Sequence, residues 1–250
     1  MWEYLFTLCR EPGWFVDCSS ALRNGNLCQA RMAGVDRRME GGVRYKLVIF
    51  DFDGTLADSF PYFMSIVNEL ADRFRFKRVE ESEVDALRGY SARELIKHTG
   101  VSMWKLPLIA VHARRRMAKD IEQVALFEGV DEMLRGLTEK GVKLAVVTSN
   151  SRENVRRVLG PENAALIQYW ECGVGIFGKQ AQFRKVLKRS GVLPGEALCV
   201  GDEIRDIEAA KGANIACGAV AWGFATVEAL VAHGPTEVFG SMEEIVERVG

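Results

Sequence analysis

Residues 45–54 read Tyr45-Lys46-Leu47-Val48-Ile49-Phe50-Asp51-Phe52-Asp53-Gly54. A short, nearly unbroken apolar run ends abruptly in a turn-rich sequence carrying two carboxylates. A strand buried on both faces reads this way, because neither face shows the polar residues that mark a solvent side. Working outward, similar runs return at 143–147 (KLAVV), 197–200 (ALCV) and 216–220 (ACGAV), with a weaker one at 167–172. Helical patterns at 129–139, 151–159, 179–190 and 204–211 lie between or beside them. Strand alternating with helix predicts an α/β chain built on a parallel sheet with right-handed crossovers.

Between residues 59 and 125 the alternation stops. Amphipathic helical patterns run over roughly 61–75, 81–87, 91–99 and 104–120, with no convincing strand. This segment enters directly after the first strand and its turn, so an all-helical insert covering the tip of that strand is expected. The expected organisation is a Rossmann-like core of residues 44–58 and 126–250, a helical cap of residues 59–125, and an N-terminal extension of residues 1–43. In the extension, apolar residues follow no helical or strand period, and Met32 and Met39 stand just upstream of the first strand. It is read as a tail or as an artefact of start assignment.

Composition bounds the function. The chain has 250 residues, 48% hydrophobic and 27% charged, enough to bury a core without disulfides or a structural metal. Lys and Arg total 33 against 34 Asp and Glu, for a net charge of −1. Such a balance gives no general attraction to nucleic acid or to an acidic membrane, so neither is expected as a partner. No stretch is apolar and long enough to span a bilayer, and Cys9-Arg10-Glu11-Pro12-Gly13 interrupts any secretory signal pattern. None of Cys9, Cys18, Cys28, Cys172, Cys199 and Cys217 forms a C-x-x-C pair, so no zinc site is supported. Reduced thiols in a cytoplasmic protein are expected.

In an open parallel sheet, ligands bind at the carboxyl ends of the strands. Asp51 and Asp53 follow the first strand, and Thr148, Ser149 and Asn150 follow 143–147. Lys179 opens the helix after the weak strand, and Gly201, Asp202, Glu203 and Asp206 follow 197–200. So much charge at a buried edge would be costly, and a divalent cation bound with a phosphate would resolve it. Asp51 and Asp53 are two apart in an extended segment, which puts both side chains on one side. One can attack phosphorus while the other protonates the leaving oxygen, with Mg²⁺ offsetting their repulsion. Gly54 allows a tight turn and close backbone approach. Thr148 and the backbone after it lie at a helix N-terminus, which favours an anion. Asn150 with Glu153 is expected to cap that helix. Lys179 supplies a point positive charge for phosphoryl oxygens and for the nucleophile. Asp202 offers the oxygen a hard cation needs, and Asp206, one helical turn on, can orient the metal's surroundings.

Asp51-Phe52-Asp53-Gly54-Thr55-Leu56 resembles the first motif of the haloacid dehalogenase superfamily. Val146-Val147-Thr148-Ser149-Asn150 is similar to its second motif, Lys179 to its third, and Gly201-Asp202-Glu203-Ile204-Arg205-Asp206 to its fourth. The resemblance runs from about Tyr45 to about Val249. Leu126-Phe127-Glu128-Gly129-Val130 resembles the segment re-entering the core after a helical cap. Ala219-Val220-Ala221-Trp222-Gly223 is similar to the run after the fourth motif in phosphoglycolate-phosphatase-like members. The resemblance implies that Asp51 is a nucleophile forming an aspartyl phosphate and that Asp53 is the general acid and base. It implies Mg²⁺ held by Asp51, the Asp53 backbone carbonyl and Asp202, with Asp206 and Glu203 around it. Thr148 and Lys179 would grip the phosphoryl group.

Substrate contacts are expected from Ser149, Asn150 and Gly54, and from Arg88 and Gly89, where a cap loop reaches the site in related capped enzymes. Lys179 is followed by Gln180, where many relatives have Lys-Pro, and is preceded by the glycine-rich stretch 173–178. Lys185 is therefore the alternative lysine. The expected function is a Mg²⁺-dependent phosphomonoesterase acting on a small phosphorylated metabolite. A sugar-phosphate mutase, which shares all four motifs, and a non-catalytic binding protein are the alternatives. Asp53 argues against a dehalogenase and against phosphonate hydrolysis, since those relatives lack an acid there. Arg114-Arg115-Arg116 with Lys119 reads as the solvated face of a cap helix, and Met103 and Trp104 as cap packing.

Overall fold

The structure is a computed structural model and describes residues 44–175 and 177–250. The reading of residues 1–43 as a tail or start-site artefact, and with it Cys9, Cys18 and Cys28, lies outside the described residues. In chain order come β1 (Leu47–Phe50), β2 (Ala57–Asp58), α1 (Phe60–Phe74), α2 (Val84–Leu87), α3 (Ala92–Thr99) and α4 (Leu106–Lys119). Then follow β3 (Ala125–Leu126), α5 (Val130–Glu139), β4 (Lys143–Val147), α6 (Arg152–Leu166), β5 (Tyr169–Glu171) and α7 (Lys179–Ser190). The chain ends with β6 (Ala197–Gly201), α8 (Ile204–Ala213), β7 (Ala216–Val220), α9 (Val227–Ala232), β8 (Glu237–Phe239) and α10 (Met242–Val249).

Six strands form one parallel sheet in the order β5-β4-β1-β6-β7-β8. The sheet is the α/β Rossmann-like core expected from the sequence. β1 is its centre, and all four of its residues are fully buried. Val48 and Phe50 enter the apolar cluster shared with α5, α6 and α10, while Leu47 and Ile49 enter the one shared with α7, α8 and α9. This period-2 division between two buried faces is why the run reads as continuous rather than alternating. From β1 the chain moves outward to β4 and β5, then crosses back to β6 and proceeds the other way. The connections therefore diverge between β1 and β6, and their carboxyl ends open the crevice in which a doubly wound sheet binds its ligand.

Between β2 and β3 the described residues form only helices and short turns. β2 and β3 pair antiparallel, Ala57 with Leu126 and Asp58 with Ala125, so the segment leaves and re-enters at one point. Pro61 in the first turn starts α1 without giving up a needed N–H. Ser91 and Glu94 form a reciprocal capping box on α3, which ends at Gly100 in the left-handed region.

Several sequence expectations are corrected. Ser151, not Asn150, caps α6 by accepting from the Asn154 backbone N–H, and Glu153 takes no part. The pattern at 151–159 covers only the first half of α6, which breaks at Gly160-Pro161, where Gly160 has φ +73°. Trp104 is 69% exposed and Met103 55%, so neither is packing inside the helical segment. Among the described residues Cys172, Cys199 and Cys217 are free thiols. No helix of the described residues is long and apolar enough to cross a membrane.

Candidate active site

Asp51 is the first residue past β1, and its N–H donates to the Val200 carbonyl of β6. It is buried, and the Phe52 N–H donates to its Oδ1 at 2.8 Å. Asp202 stands at the end of β6, fully buried. Its Oδ1 accepts from the Thr55 hydroxyl at 2.7 Å and its Oδ2 from the Phe224 N–H at 2.8 Å. Asp206, in the first turn of α8, is also buried, and its Oδ2 accepts from the Glu203 N–H at 3.1 Å. One carboxylate oxygen from each of Asp51, Asp202 and Asp206 falls within 4.8 Å of the others. Three buried acidic oxygens this close make the all-oxygen environment that suits a hard divalent cation.

Two cations face this cluster. Lys179, the first residue of α7 and buried, places Nζ against both Asp51 Oδ2 and Asp206 Oδ1. Arg205, in the first turn of α8, pairs with Glu203 and brings Nη2 to 3.8 Å from Asp51 Oδ2. Its Nε–H is buried with no acceptor. Burial works against the charge on both groups, but the carboxylates outweigh it. Asp206 and Asp51 hold Lys179 protonated, and Glu203, Asp51 and Asp206 hold Arg205 protonated. The acids are pushed the other way. Burial, then the charges of Glu203, Asp51 and Asp206, raise Asp202 well above the ordinary carboxylate range. Burial raises Asp206 to about 6 against the pull of Lys179. Asp53 is raised to about 6 by burial and by the neighbouring charge of Asp51.

The glycines here are required by contact. Gly54 has φ +77°, and a Cβ on it would lie 2.2 Å from Asp202 Oδ2. A Cβ on Gly223 would lie 2.0 Å from Asp202 Cβ. The backbone turns after β1 and β7 therefore close directly onto Asp202. The Trp222 indole N–H, donating to the Thr55 carbonyl at 3.1 Å, ties the two turns together.

From the β4 side, Thr148 is buried, and its Oγ1 accepts from the Asn150 N–H at 3.0 Å. Asn150 is drawn away from helix capping because its Nδ2 donates to both carboxylate oxygens of Asp53, each at 3.2 Å. Ser149 lies beside it, and its carbonyl accepts from Arg114 Nη1 at 2.8 Å. Asp53, Ser149, Asn150, Arg114, Tyr62 and Arg205 are among the walls of a chamber of about 340 Å³.

Most of the expected site residues thus converge on one crevice. Lys185, the alternative lysine, points elsewhere: it is largely exposed and pairs with Glu171 at 2.7 Å. Arg88 donates Nε to the Phe224 carbonyl at 2.9 Å and Nη2 to the Gly223 carbonyl at 3.0 Å, so it clamps the helical segment onto the turn after β7. The adjacent Gly89 donates its N–H to the Ala86 carbonyl. Glu203 is not among the three clustered carboxylates; it holds Arg205. Sequence reasoning missed Arg205 and Gly223, and it wrongly counted Arg114 into a solvated face. Arg205 stood within the quoted fourth motif, so its signal was present. Arg114 gave none, because only the tertiary fold shows which arginine of three turns inward.

The family model described as haloacid dehalogenase-like hydrolase matches residues 48–220. A phosphoglycolate phosphatase of Synechococcus elongatus is 31% identical over 203 residues, covering 81% of this chain and 96% of that protein. Phosphoglycolate phosphatase 1 of Pseudomonas aeruginosa is 26% identical over 213 residues, covering 80% and 78%. In fold, the chain is similar to a haloacid dehalogenase-like family hydrolase of Streptococcus pneumoniae, with TM-score 0.66, 17% identity, and coverage of 82% of this chain and 98% of that one.

Proposed function

The chain belongs to the haloacid dehalogenase-like hydrolases, as a phosphatase of the phosphoglycolate-phosphatase-like kind, and from that premise we propose that it hydrolyses a small phosphorylated metabolite through an aspartyl phosphate on Asp51. One observation carries this reading: Asp51, Asp202 and Asp206 cluster beside Lys179 in the crevice between β1 and β6, with Asp53 in the adjoining chamber wall. An Asp51 oxygen attacks phosphorus, the P–O ester bond breaks, and Asp53 gives its proton to the departing alcohol oxygen. Asp53 then takes a proton from water, whose oxygen attacks the acyl phosphate and returns Asp51 with release of inorganic phosphate. A pKa near 6 suits a group that must both give and accept a proton close to neutrality. Asn150, donating to both Asp53 oxygens, holds that carboxyl in place.

The carboxylate cluster suits Mg²⁺. Asp51, Asp202 and the Asp53 backbone carbonyl would hold it, with Asp206 close by and Glu203 orienting Arg205. Bound there, the ion would supply positive charge to phosphoryl oxygens and offset the repulsion among the carboxylates. Lys179 and the Thr148 hydroxyl grip the phosphoryl group from this chain. Residues 59–125 act as a cap that excludes water from the chamber, and Arg88 fastens it to the core. Phosphoglycolate, for which the curated relatives are named, is the first substrate to try.

The test is phosphate release from a panel of phosphorylated metabolites, with and without Mg²⁺, using Asp51→Asn as the blank. Mg²⁺-dependent release that disappears in the variant is expected. Release that persists in Asp51→Asn would remove the covalent route. Isomerised substrate without free phosphate would identify a mutase instead.

A further inference from the structure

Resting on the phosphatase reading, we infer that the substrate's alcohol part is apolar, an alkyl or aryl group, and that it enters a second cavity lying beyond the chamber above Asp53. This cavity holds about 250 Å³. It shares Phe63, Leu95, Ile96, Phe224, Glu203 and Arg205 with the chamber as a common wall, so the two spaces adjoin. Asp53, Ser149, Asn150 and Arg114 line the chamber alone, whereas Glu203 and Arg205 line both spaces. Past the shared wall the lining is supplied chiefly by apolar side chains of the helical segment, among them Val67, Leu70, Val84, Leu87 and Ile109.

The ionic groups at the boundary have partners except for the buried Arg205 Nε–H, which has no acceptor. Arg205 is paired with Glu203. Arg88 donates to the Gly223 and Phe224 carbonyls and lays its guanidinium over the Phe60 ring at 5.2 Å. The Thr99 hydroxyl is satisfied by the Leu95 carbonyl at 2.7 Å. Past the shared wall the polar lining residues are Arg88, Thr99 and Tyr90; the first two have the partners just named, so few groups are left to hydrogen-bond the hydroxyls of a sugar or to neutralise a second anionic group. A polyol placed there would leave its hydroxyls unpaired. An apolar group would be matched, and an apolar cavity of roughly 150 Å³ is already enough to hold benzene. Asp53, which would protonate the bridging oxygen, lines the chamber, and the chamber shares a wall with this space.

The test measures kcat/KM for phosphate release by the full chain with Mg²⁺. The substrates are methyl, butyl, hexyl and octyl phosphate, together with phosphoglycolate and a hexose 6-phosphate, and Asp51→Asn is the blank. The expected result is a rise of about threefold to fourfold per added methylene until the cavity is filled. Hexyl phosphate should then exceed phosphoglycolate by roughly tenfold or more. Val84→Trp, which fills the inner cavity, should lower the hexyl-to-methyl ratio by a similar factor. That ratio is internal to one preparation, so partial misfolding does not move it. A flat chain-length series, an unchanged ratio in Val84→Trp, or phosphoglycolate or the hexose phosphate as the best substrate would overturn the inference and leave the phosphatase reading intact. Absence of Asp51-dependent release from every ester would overturn both.

Discussion

Replacing Lys179 with Met removes a buried cation while keeping much of its length and apolar stem. The structure sets the cost. Lys179 is 2% exposed and contacts Asp51 and Asp206, which belong to a cluster of three carboxylates within 4.8 Å. Without it, Arg205 is the cation left close to Asp51 among the described residues, at 3.8 Å. Removing one partner of a buried ion pair costs about 3–5 kcal/mol, because the abandoned charge stays desolvated. For a chain of this size that corresponds to a fall in Tm of about 6–20 °C. The penalty carries its own pH signature. Asp206 is raised to about 6, so near pH 5 it is largely protonated and the missing cation matters less. Urea denaturation of wild type and Lys179→Met without added metal, at about pH 5 and about pH 7.5, should show the larger loss at the higher pH. Excess Mg²⁺ at pH 7.5 should recover part of it, and phosphatase activity should stay low throughout. A loss below about 1 kcal/mol at pH 7.5 would refute the reasoning. Loss of activity in Lys185→Met but not in Lys179→Met would reassign the lysine.

Arg205→Met should lower phosphate release by roughly 100-fold for every substrate alike, as expected for removing one donor near the phosphoryl group. Arg205→Lys should recover part of that rate, and rates within threefold of wild type in Arg205→Met would discount the guanidinium. Gly54→Ala should unfold the crevice locally: the left-handed conformation costs about 1–2 kcal/mol for a residue with a Cβ. In addition, that Cβ falls 2.2 Å from Asp202 Oδ2, so stabilisation by Mg²⁺ should vanish in thermal melts. Asp53 and Asp206 have folded-state pKa values of about 6, raised from 3.8. The folded chain therefore holds more protons than the unfolded chain between about pH 4 and pH 6, and stability without metal should fall as pH rises through that window. Mg²⁺ should raise Tm strongly above pH 7 and little at pH 5, where protons compete for the same oxygens.

The sheet was legible because burial on both faces leaves a compositional mark. KLAVV and ACGAV coincide with β4 and β7 to the residue. Among the strands, those that escaped are the ones whose stability comes from elsewhere. β8 is a three-residue edge strand containing Glu237, too short and too polar to announce itself. β2 and β3 are two residues each and exist only as a pair. Asn150 satisfied the compositional rule for a helix cap, but a carboxylate nearly a hundred residues away in sequence, Asp53, took its amide. Ser151, one place on, supplied the cap instead.

The residues at the crevice share a property that explains which of them the sequence could expose. Lys179 opens α7, where the helix dipole disfavours a cation by about 0.3–1 kcal/mol. Asp51, Asp202 and Asp206 are buried charges at strand or helix ends. Each breaks a local rule, and the violations offset one another only when the fold brings them together. A carboxylate cluster would repel without Lys179 and Arg205, and each cation would be stranded without the carboxylates. Rule-breaking of this kind is visible residue by residue in the sequence, and it marks functional positions. Arg114 breaks no rule at all. An arginine on an amphipathic helix is ordinary, and its approach to the Ser149 carbonyl depends on the helix rotation that the packing of Met117 and Ile109 against the core imposes. The chemistry of the crevice was therefore readable from local anomalies. The shape of the chamber and of the cavity beside it is a property of helix packing, set by side chains far apart in the sequence.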